Sequence, residues 1–598
     1  MSEKIQKTFS LIRTEGIGVT FRYCLSYLQY RLLGKRLLAV EDILYQRWRE
    51  KHSLSSEQLQ AMREESAAFP YKPLISILMP VYNVDPHLLR KAVKSVERQA
   101  YPNWELCIAD DCSTTPETKS ELDRIAKRNQ KVKVRFLEEN QGIAGASNAA
   151  LELADGEFVA LLDNDDELAP EALFEVAKLL NEHKDADFIY SDEDKLDEQG
   201  RHIEAFLKPD WSPELLLSTM YTSHLGVYRK NLIDEIGGFC TGFDGAQDFD
   251  LVLRLTERTK RIHHIAKILY HWRRTGGSTS IAYQSMSGGK AATGSSLTAL
   301  SNALQRRDIK GIVEQGKFNG SYRIRPTYHS DLQVSIIIPT RERGEHLRKC
   351  IDSFTRLTKR PRYEIIIADN DSKEAFTRQY MDSLAREGRA RIVSFPGEFN
   401  FSSINNEAAA QANGDALLFL NNDTEVIDGG WLEAMLELLL LPDVGVVGAK
   451  LLYPDDTVQH AGVVLWHCGT AAHVHSRLPR DEHGYFGMAD TIRNCSAVSA
   501  ACMMVKRTLF NELSGFDSQF AVSYQDVDFC LRAAKAGYRT VYTPFAMLYH
   551  HESVSTGKRS NEQEEHLFID RWKSVFPSDP FYNRNFPPTR ADFRLDCS

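Results

Sequence analysis

The order of hydrophobic and polar positions predicts strands that alternate with helices along most of the chain. Residues 75–79 and 106–109 are short apolar runs without a charge, which is typical of buried strands. Between them, apolar residues recur at helical spacing from 88 to 96. This alternation predicts an α/β fold with a mostly parallel sheet that is covered by helices on both faces. The ligands of such sheets bind at the carboxyl ends of the strands.

This pattern occurs twice. Four segments recur in the same order, and the copies lie 258–259 residues apart for the first three segments and 277–278 apart for the last. The second copy therefore contains about twenty additional residues, which we place between 445 and 494. A repeat of this size is a duplicated domain rather than a solenoid. The matching segments are 76–80 with 335–339, 104–110 with 363–369, 158–165 with 416–423 and 238–251 with 515–529.

On this basis we divide the chain into five parts. Within the linker between the two copies, we expect a helix at 296–304 and a loop or edge strand at 311–326. The predicted parts are a helical, basic N-terminal arm (1–73), a first α/β domain (74–290), a linker (291–331), a second α/β domain (332–560) and a C-terminal extension (561–598).

Composition places the protein among ordinary globular chains, with 598 residues and a formal net charge of −9. A mildly acidic chain argues against bulk binding of nucleic acid. We expect a cytoplasmic protein, because the sequence shows neither a signal-peptide core nor an apolar stretch of about 18 residues. The first forty residues carry seven Lys or Arg and two acidic residues, interleaved with aromatic side chains. They favour either a basic amphipathic helix on an anionic membrane or an arm packed on the first domain.

Acidic residues follow the predicted strand at 158–162. Asp163 and Asp165 flank an asparagine there, and paired carboxylates at a strand end can bind a hard divalent cation. The alternative is that acids at this position cap the helix that follows. The second copy reads Asn421-Asn422-Asp423, which retains only the last carboxylate.

Asp110 and Asp111 follow another predicted strand, and Asp369 takes the place of Asp110 in the second copy. A carboxylate at this position can accept hydrogen bonds from the base or ribose of a nucleotide. An Asx turn that leads into a helix is the structural alternative.

One further acid lies at the start of a predicted amphipathic helix late in each copy. Asp248 and Asp526 both follow a glutamine, at Gln247 and Gln525. Each carboxylate can act as the general base on an incoming hydroxyl. Each can also simply cap its helix, where a negative charge is favourable.

Each copy ends with a histidine that follows a tyrosine, namely His271 and His550. A neutral imidazole can complete an oxygen-rich metal site, although a hydrogen-bonded structural histidine is the commoner case. Arg273 and Arg274 beside His271 offer bidentate hydrogen bonds to a diphosphate as another possibility.

Together these motifs resemble the family 2 glycosyltransferases of the GT-A fold. More specifically, they are similar to the bacterial rhamnosyl- and related transferases of O-antigen and capsule assembly. The motifs that carry the resemblance are SILMPVYN, IADDCST, NQGIAGASNAA, LLDNDDE and QDFDL in the first copy, and SIIIPTRE, IADNDS, FLNNDTEV, QHAGV and YQDVDFCLR in the second.

The resemblance implies two GT-A domains in tandem that use a divalent metal, Mn²⁺ or Mg²⁺. Taken over position by position, it implies nucleotide-sugar binding by Pro80, Asp110, Asp111, Asp163, Pro339, Asp369 and Asn422, metal binding by Asp165, His271, Asp423 and His550, and catalysis by Asp248 and Asp526.

The resemblance also implies inverting transfer of a hexosyl or deoxyhexosyl group from a UDP-, dTDP- or GDP-sugar to a growing glycan. We hypothesise that this glycan is lipid-linked and that the two domains make successive transfers. The alternative is one active transferase domain, with the second domain as a non-catalytic scaffold that binds nucleotide sugar or glycan. Residues 208–221 and 458–475 are expected to determine the acceptor.

Overall fold

The computed structural model describes most of both predicted domains and part of the N-terminal arm. Most of the basic segment 1–40 lies outside the described residues, so its contact with a membrane stays a prediction. The described residues are Tyr23 and the ranges 39–274, 290–551 and 562–596.

Two helices form the described part of the arm, α1 (Val40–His52) and α2 (Ser56–Ala68). Helix α2 begins at a capping box, in which Ser55 Oγ accepts the amide of Gln58 and the Gln58 side chain accepts the amide of Ser55. Helix α1 packs against the first domain with Ile43 and Leu44 buried. The described part of the arm is therefore helical and in contact with the first domain.

The first domain is built on a nine-stranded sheet. Its strands are β1 (Ile75–Val81), β2 (Trp104–Asp110), β3 (Val132–Phe136), β4 (Phe158–Leu161), β5 (Glu167–Leu168), β6 (Phe188–Leu196), β7 (His202–Phe206), β8 (Gly226–Arg229) and β9 (Ile262–Arg273).

The strand order is β3-β2-β1-β4-β8-β6-β9-β5, with β7 paired to β6. Strands β1 to β4 are parallel, and β8 is antiparallel to both β4 and β6. Strand β6 therefore runs in the same direction as β4, and the carboxyl ends of β1, β2, β4 and β6 meet at one edge. Strand β2 is buried at every position, which explains its continuous apolar run.

Helices connect these strands. Helix α3 shows why they form, since Asp85 caps its first turn, Pro86 begins it, and one apolar face that includes Leu89 and Val93 is buried. The helices are α3 (Pro86–Glu97), α4 (Pro116–Arg128), α5 (Gly142–Leu151), α6 (Ala172–Glu182), α7 (Pro213–Leu216), α8 (Lys230–Glu235) and α9 (Gln247–Thr256).

The linker is more regular than its sequence suggested. Helix α10 (Lys290–Arg306) contains the expected helix and packs on α9. The expected loop or edge strand is an antiparallel hairpin of β10 (Gly311–Gln315) and β11 (Tyr322–Pro326).

The second domain repeats the architecture on a ten-stranded sheet. Its strands are β12 (Gln333–Thr340), β13 (Arg362–Asp369), β14 (Arg391–Ser394), β15 (Ala416–Leu420), β16 (Thr424–Val426), β17 (Val444–Leu452), β18 (Val458–His460), β21 (Arg493–Asn494), β22 (Cys502–Lys506) and β23 (Arg539–His550). The strand order is β14-β13-β12-β15-β22-β17-β23-β16, with β18 paired to β17 and β21 paired to β23.

The additional residues of the second domain lie between β17 and β22, as the repeat predicted. They include a separate hairpin of β19 (Val463–Leu465) and β20 (Ala471–His473) and a short 3₁₀ helix (Tyr485–Gly487). The helices of this domain are α11 (Gly344–Leu357), α12 (Ala375–Arg386), α13 (Phe401–Ala410), α14 (Trp431–Leu439), α15 (Arg507–Glu512), α16 (Gln525–Lys535) and α17 (Glu562–Trp572).

The two domains contact each other through buried polar groups. Glu214 of α7 accepts Nη2 of Arg539 at 2.8 Å and Nδ2 of Asn494 at 2.6 Å. The C-terminal segment touches both domains, because Asn583 Nδ2 donates to Asp192 of the first and Asp579 Oδ2 accepts the amide of Leu465 of the second. The domains thus share a specific interface.

Within the described ranges, no helix is both long and apolar enough to cross a membrane. The cysteines in this part of the chain are free thiols, and five of them are buried: Cys107, Cys350, Cys495, Cys502 and Cys530.

Candidate functional site

The acids singled out by the sequence gather at the carboxyl ends of the parallel strands in both domains. Val81, the last residue of β1, pairs with Asp110, the last residue of β2. Thr340 pairs with Asp369 in the same way in the second domain. Each domain therefore has its own candidate site at the edge where ligands of α/β sheets bind.

Asp110 and Asp369 lie in the same turn in each domain. Asp110 Oδ2 accepts the amide of Ser113 at 3.1 Å, and Asp369 Oδ1 accepts the amide of Ser372 at 3.0 Å. This is the Asx turn that the sequence allowed. Asp110 is fully buried, yet no donor among the described residues reaches its Oδ1. A buried acceptor without a partner is costly unless a ligand supplies the donor.

Asp111 holds the neighbouring loop in place. Its Oδ1 accepts the amide of Gln141 at 2.6 Å, at the start of α5. The second domain has Asn370 at this position, whose Nδ2 donates to the carbonyls of Phe395 and Gly397. In both domains the side chain at this position is hydrogen-bonded to the following loop. The carboxylate oxygen that is available to a ligand belongs to the preceding residue, Asp110.

The acidic segment after β4 is tied to the end of β1 through its middle residue. Asn164 Nδ2 donates to the carbonyl of Pro80 at 2.7 Å. In the second domain Asn422 Nδ2 donates to Oγ1 of Thr340 at 2.8 Å, next to Pro339. The side-chain amide of Asn422 is therefore used by the protein, and in both domains the middle residue fixes the loop that carries the flanking positions.

In the first domain these flanking acids form a dense negative cluster. Tyr270 Oη accepts the amide of Asp163 at 3.2 Å and donates to Oδ2 of Asp166 at 2.6 Å. Burial, and then the charges of Asp163 and Asp165, raise the pKa of Asp166 well above its ordinary value. Such a concentration of carboxylates suits a hard divalent cation.

In the second domain Asp423 faces His550. Gln459 Nε2 donates to the carbonyl of His550 at 3.3 Å, so its Oε1 accepts the proton of His550 Nδ1 at 2.7 Å. Nε2 of His550 lies 3.3 Å from Asp423 Oδ1 and 3.3 Å from Nδ2 of Asn421. Asp423 Oδ1 is buried without a hydrogen-bond donor among the described residues. Carboxylate and imidazole side chains are both ligands of divalent cations, so these are the two residues of the second domain that could hold one.

The sheet register corrects the parallel between His271 and His550. His271 pairs with Glu167 across β5 and β9, and Tyr549 pairs with Glu425, the counterpart of Glu167, across β16 and β23. Tyr549 is therefore the counterpart of His271. The sequence comparison aligned Tyr270-His271 with Tyr549-His550. The offset of 278 residues between the preceding helices, however, continues unchanged to the ends of these strands, and it matches His271 with Tyr549 instead.

His550 instead takes the place of Trp272 of the first domain. The next position confirms this, because the side chains of Arg273 and His551 both contact the equivalent glutamates of β5 and β16. Side chains alternate between the two faces of a strand, so a shift of one residue moves a side chain to the opposite face. The first domain consequently has no imidazole at the position from which His550 approaches Asp423.

His271 belongs to a separate polar cluster. Its Nδ1 lies 2.6 Å from Oδ1 of Asp194, and Nδ1 of His202 lies 2.6 Å from Oδ2 of the same carboxylate. Tyr45 of α1 also donates to Asp194. Burial alone would raise the pKa of Asp194, but the two imidazoles hold it well below its ordinary value. The three Asp and His ligand atoms lie within 4.8 Å of one another, a spacing that a metal ion can bridge.

Asp248 stands at the start of α9, close to the acidic cluster. It lies in the first turn of the helix, where a negative charge is favourable, and its Oδ1 accepts the amide of Phe249 at 2.8 Å. Burial raises the pKa of Asp248, and the charge of Asp163 adds to this while that of His224 opposes it. The structure thus brings Asp163, His224 and Asp248 together at one site.

Asp526 occupies the same position at the start of α16. Its Oδ1 accepts the amide of Val527 and its Oδ2 accepts the amide of Ala500, both at 2.9 Å. Burial raises the pKa of Asp526, and the charge of His473 opposes this. Each candidate base therefore has an ordered carboxylate with an imidazole in its neighbourhood.

Glu193 is a buried residue that the motif analysis missed, and it binds Lys208, the first residue of the range 208–221 that is expected to determine the acceptor. Lys208 is fully buried, and its Nζ donates to Glu193 Oε2 at 2.9 Å and to the carbonyls of Thr222 and His224. The amide of His224 donates to the same Glu193 oxygen at 3.0 Å. This pair fixes the loop that carries His224. A lysine within an apolar and aromatic stretch was the one available signal.

Comparison with known proteins agrees with the fold and the motifs. The family model described as Glycosyl transferase family 2 matches residues 76–243 and 335–513. The two matches together span more than half of the chain, one in each domain. The expected fold class, α/β with two GT-A-like domains, is confirmed.

Individual relatives match across both domains. The chain is 43% identical over 535 residues to the uncharacterized protein y4gI of Sinorhizobium fredii, covering 88% of this chain and 58% of that protein. It is 37% identical over 544 residues to the O-antigen biosynthesis protein RfbC of Myxococcus xanthus, covering 90% and 42%. A 222-residue region, 36% of this chain and 31% of that protein, is 33% identical to chondroitin synthase of Escherichia coli. The chain thus spans about half the length of the first two relatives.

Proposed function

The chain belongs to glycosyl transferase family 2, and from that premise we propose that both domains are active. Each would transfer a sugar from a nucleotide-sugar donor to a growing bacterial cell-surface polysaccharide of the O-antigen or capsule type. The observation that carries this proposal is that each domain places, at the same edge of its sheet, a strand-end segment with at least one carboxylate and a buried Asp in the first turn of the following helix, Asp248 or Asp526. The name of the RfbC relative supports the polysaccharide class.

In the first domain, Asp110 would bind the nucleoside through its buried, unpartnered Oδ1. Asp163 and Asp165 would hold a divalent cation, Mn²⁺ or Mg²⁺, next to the diphosphate. When bound, that cation would neutralise the charge of the departing nucleoside diphosphate. The acidic cluster supports this assignment, because its mutual repulsion falls when a cation binds.

The transfer itself would be a single displacement with inversion. Asp248 would take the proton of an acceptor hydroxyl, whose oxygen forms the new bond to the anomeric carbon. The bond from that carbon to the diphosphate oxygen breaks, and its electron pair leaves with the nucleoside diphosphate. The carboxylate of Asp248 is held by the amide of Phe249, which orients it without consuming both oxygens.

In the second domain, Asp369 and Asp526 would take the roles of Asp110 and Asp248. Asp423 and His550 would hold the cation, so an imidazole replaces the carboxylate that is lost at Asn421. The geometry supports this replacement, because Gln459 orients the ring through Nδ1 and Nε2 lies 3.3 Å from Oδ1 of Asp423. An active second domain is therefore favoured over a binding scaffold.

A lipid-linked acceptor and a cytoplasmic enzyme at the inner membrane face are part of the proposal. The basic composition of residues 1–40 supports it. Deletion of residues 1–38 should abolish co-flotation with anionic phosphatidylglycerol vesicles and leave it unchanged with neutral vesicles. Unchanged flotation with anionic vesicles would remove this part of the proposal.

The proposed activity is tested by nucleoside-diphosphate release from a panel of UDP-, dTDP- and GDP-sugars, with Mn²⁺ or Mg²⁺ and with synthetic glycoside acceptors. At least one donor should turn over, and proton NMR of the product should show inverted anomeric configuration. Retained configuration would contradict direct displacement. No turnover by the full chain with any donor would favour a binding protein.

A further inference from the structure

A tyrosine of the second domain holds the start of the segment that is expected to determine the acceptor of the first domain. Tyr485 lies in the 3₁₀ helix, within the additional residues that the first domain lacks. Its Oη accepts the amide of Leu207 at 2.8 Å and donates to the carbonyl of Ala205 at 2.9 Å. One hydroxyl of the second domain therefore binds two backbone groups of the first domain, directly before Lys208.

Aromatic contacts fix this tyrosine in place. The ring of Tyr485 stacks on Phe593 of the C-terminal segment, with 5.1 Å between the ring centroids and 5° between the planes. The next residue, Phe486, stacks on Phe206 of β7 at 4.1 Å and 12°. Such aromatic pairs add to the stability that burial alone provides. The hydroxyl of Tyr485 thus reaches the end of β7 from an ordered support.

The same segment of the first domain has further partners outside that domain. Asn583 of the C-terminal segment donates to the carbonyl of Lys208 at 2.9 Å. Asn494 of β21 accepts a hydrogen bond from Oγ of Ser212 at 2.7 Å. The first domain on its own would lack all of these contacts, so the second domain and the C-terminal segment help to shape its acceptor segment.

Lys208 extends this support to His224. The amide of Lys208 donates to Asp192 Oδ1 at 2.8 Å, and its Nζ donates to Glu193 Oε2 and to the carbonyl of His224. The amide of His224 donates to the same oxygen of Glu193. Both backbone groups of His224 are therefore held by the buried Lys208–Glu193 pair. A displacement of Lys208 would move His224 as well.

His224 lies against the acidic cluster of the first domain. Its ring stacks on that of Tyr270, with 4.4 Å between the centroids and 14° between the planes. Tyr270 Oη in turn accepts the amide of Asp163 and donates to Asp166. A series of direct contacts thus leads from Tyr485 of the second domain to the candidate site of the first.

We propose that Tyr485 is a positioning residue for acceptor binding by the first domain, although it belongs to the second. Its hydroxyl fixes the start of the segment 208–221 and, through the Lys208–Glu193 pair, the place of His224. The first domain binds its acceptor at full strength only while the additional residues of the second domain are docked on it. This inference rests on the proposed function of the first domain and adds a contribution from the second.

Positioning and folding have different kinetic signatures. A substitution that unfolds part of the population lowers kcat and leaves every KM unchanged, because the remaining molecules are intact. A displaced acceptor segment instead raises the acceptor KM of the first domain. Tyr270 keeps its own bonds to Asp163 and Asp166 in such a variant, so the donor KM should stay the same.

The test uses the full chain with Asp526→Asn, so that nucleoside-diphosphate release reports the first domain. The acceptors are p-nitrophenyl glycosides of glucose, galactose, N-acetylglucosamine and rhamnose, and the one that stimulates release most is titrated. Tyr485→Phe should raise its KM about threefold to tenfold, the effect of weakening one set of hydrogen bonds, with kcat and the donor KM unchanged. Circular dichroism shows that the variant is folded.

A double-mutant cycle tests whether Tyr485 acts through the Lys208–Glu193 pair. Glu193→Gln should raise the acceptor KM by itself. The chain with both Tyr485→Phe and Glu193→Gln should raise it by less than the product of the two separate factors, because the two residues act on the same loop. Factors that simply multiply would overturn the route through this pair.

Two controls separate the domains. In the full chain with Asp248→Asn, which reports the second domain, Tyr485→Phe should leave the acceptor KM unchanged even though Tyr485 belongs to that domain. The matched control is Tyr328→Phe, which removes a hydroxyl that donates to Glu433 between the linker and the second domain. It should leave every KM unchanged in both chains.

Three results would overturn the inference alone. They are an acceptor KM of the first domain that ignores Tyr485→Phe, a fall in kcat without a change in KM, and an equal rise in the acceptor KM of the second domain. If the Asp526→Asn chain forms no product with any donor and acceptor, the proposed function of the first domain fails and the inference falls with it.

Discussion

Nε2 of His550 lies 3.3 Å from Oδ1 of Asp423, and Gln459 Oε1 orients the ring by accepting the proton of Nδ1 at 2.7 Å. In the first domain, Trp272 stands in place of His550 and the carboxylate of Asp163 stands in place of Asn421. The second domain has therefore exchanged a carboxylate for an imidazole at the same edge of the sheet. Both sets offer ligands to a divalent cation, but imidazole favours softer ions such as Mn²⁺ over Mg²⁺.

The first prediction concerns Gln459, which orients His550 without facing Asp423 itself. We call the sugar-transfer products of the first and second domains the first and second product. Gln459→Leu should raise the Mn²⁺ concentration for half-maximal formation of the second product about 10–100-fold, because the ring of His550 loses its fixed tautomer. Formation of the first product should keep its original Mn²⁺ dependence. An unchanged titration for the second product would remove His550 from the metal site.

The second prediction concerns Tyr270, which links Asp163 to the buried Asp166. Tyr270→Phe should lower the free energy of unfolding by about 1–3 kcal/mol, because two buried polar groups lose their partner. It should also raise the donor KM for the first product only. Urea unfolding and initial rates measure the two effects.

The matched control for Tyr270→Phe is Tyr549→Phe. The hydroxyl of Tyr549 bonds to Asp456 at an exposed position, and its loss should change neither unfolding nor donor KM. Equal effects of the two substitutions would show that the hydroxyl of Tyr270 has no special role at the site.

The third prediction concerns Glu214, which is 2% exposed at the interface between the domains. Glu214→Ala should lower the free energy of unfolding by about 3 kcal/mol, because it leaves buried Asn494 and partly buried Arg539 without their acceptor. Calorimetry should show the single transition separating into two. The control is Asp455→Ala, which removes an exposed ion pair with Arg477 and should leave the transition in place.

The fourth prediction concerns pH. Burial raises the pKa of Asp248 and Asp526 in the folded chain, and a base works only when it is ionised. Activity should therefore fall as the pH drops through the raised pKa, and kcat/KM for each product should begin to fall above the ordinary Asp pKa of about 3.9. Rates from pH 4 to 9, with circular dichroism to exclude unfolding, test this. A profile that is flat down to pH 4 would exclude a base with a raised pKa.

Much of the fold follows from the sequence, because buried parallel strands need continuous apolar runs. Residues 75–79 were predicted as a strand and form most of β1, and residues 106–109 lie within β2. The repeat located the additional residues of the second domain. The bounds of the predicted domains and the assigned roles of the site residues stay predictions.

The sequence did not reveal contacts that depend on register or on distant segments. The correspondence of His550 with Trp272 rests on strand pairing, and a tyrosine before each histidine obscured it. The bond between Asp194 and Tyr45 joins residues 149 positions apart, and that between His460 and His473 depends on a hairpin with little strand pattern. Local patterns carry no information about such pairs.

The most direct test of the account is product analysis of the wild-type chain beside Asp248→Asn and Asp526→Asn, with the same donors and acceptors. General-base removal should lower the rate of the affected step by about 10²–10⁴-fold. Asp248→Asn should abolish one product and Asp526→Asn a different one, with each remaining rate near the wild-type value. If both substitutions reduce the same product, or if Asp526→Asn changes none, the claim of two independent transferase sites in one chain is wrong.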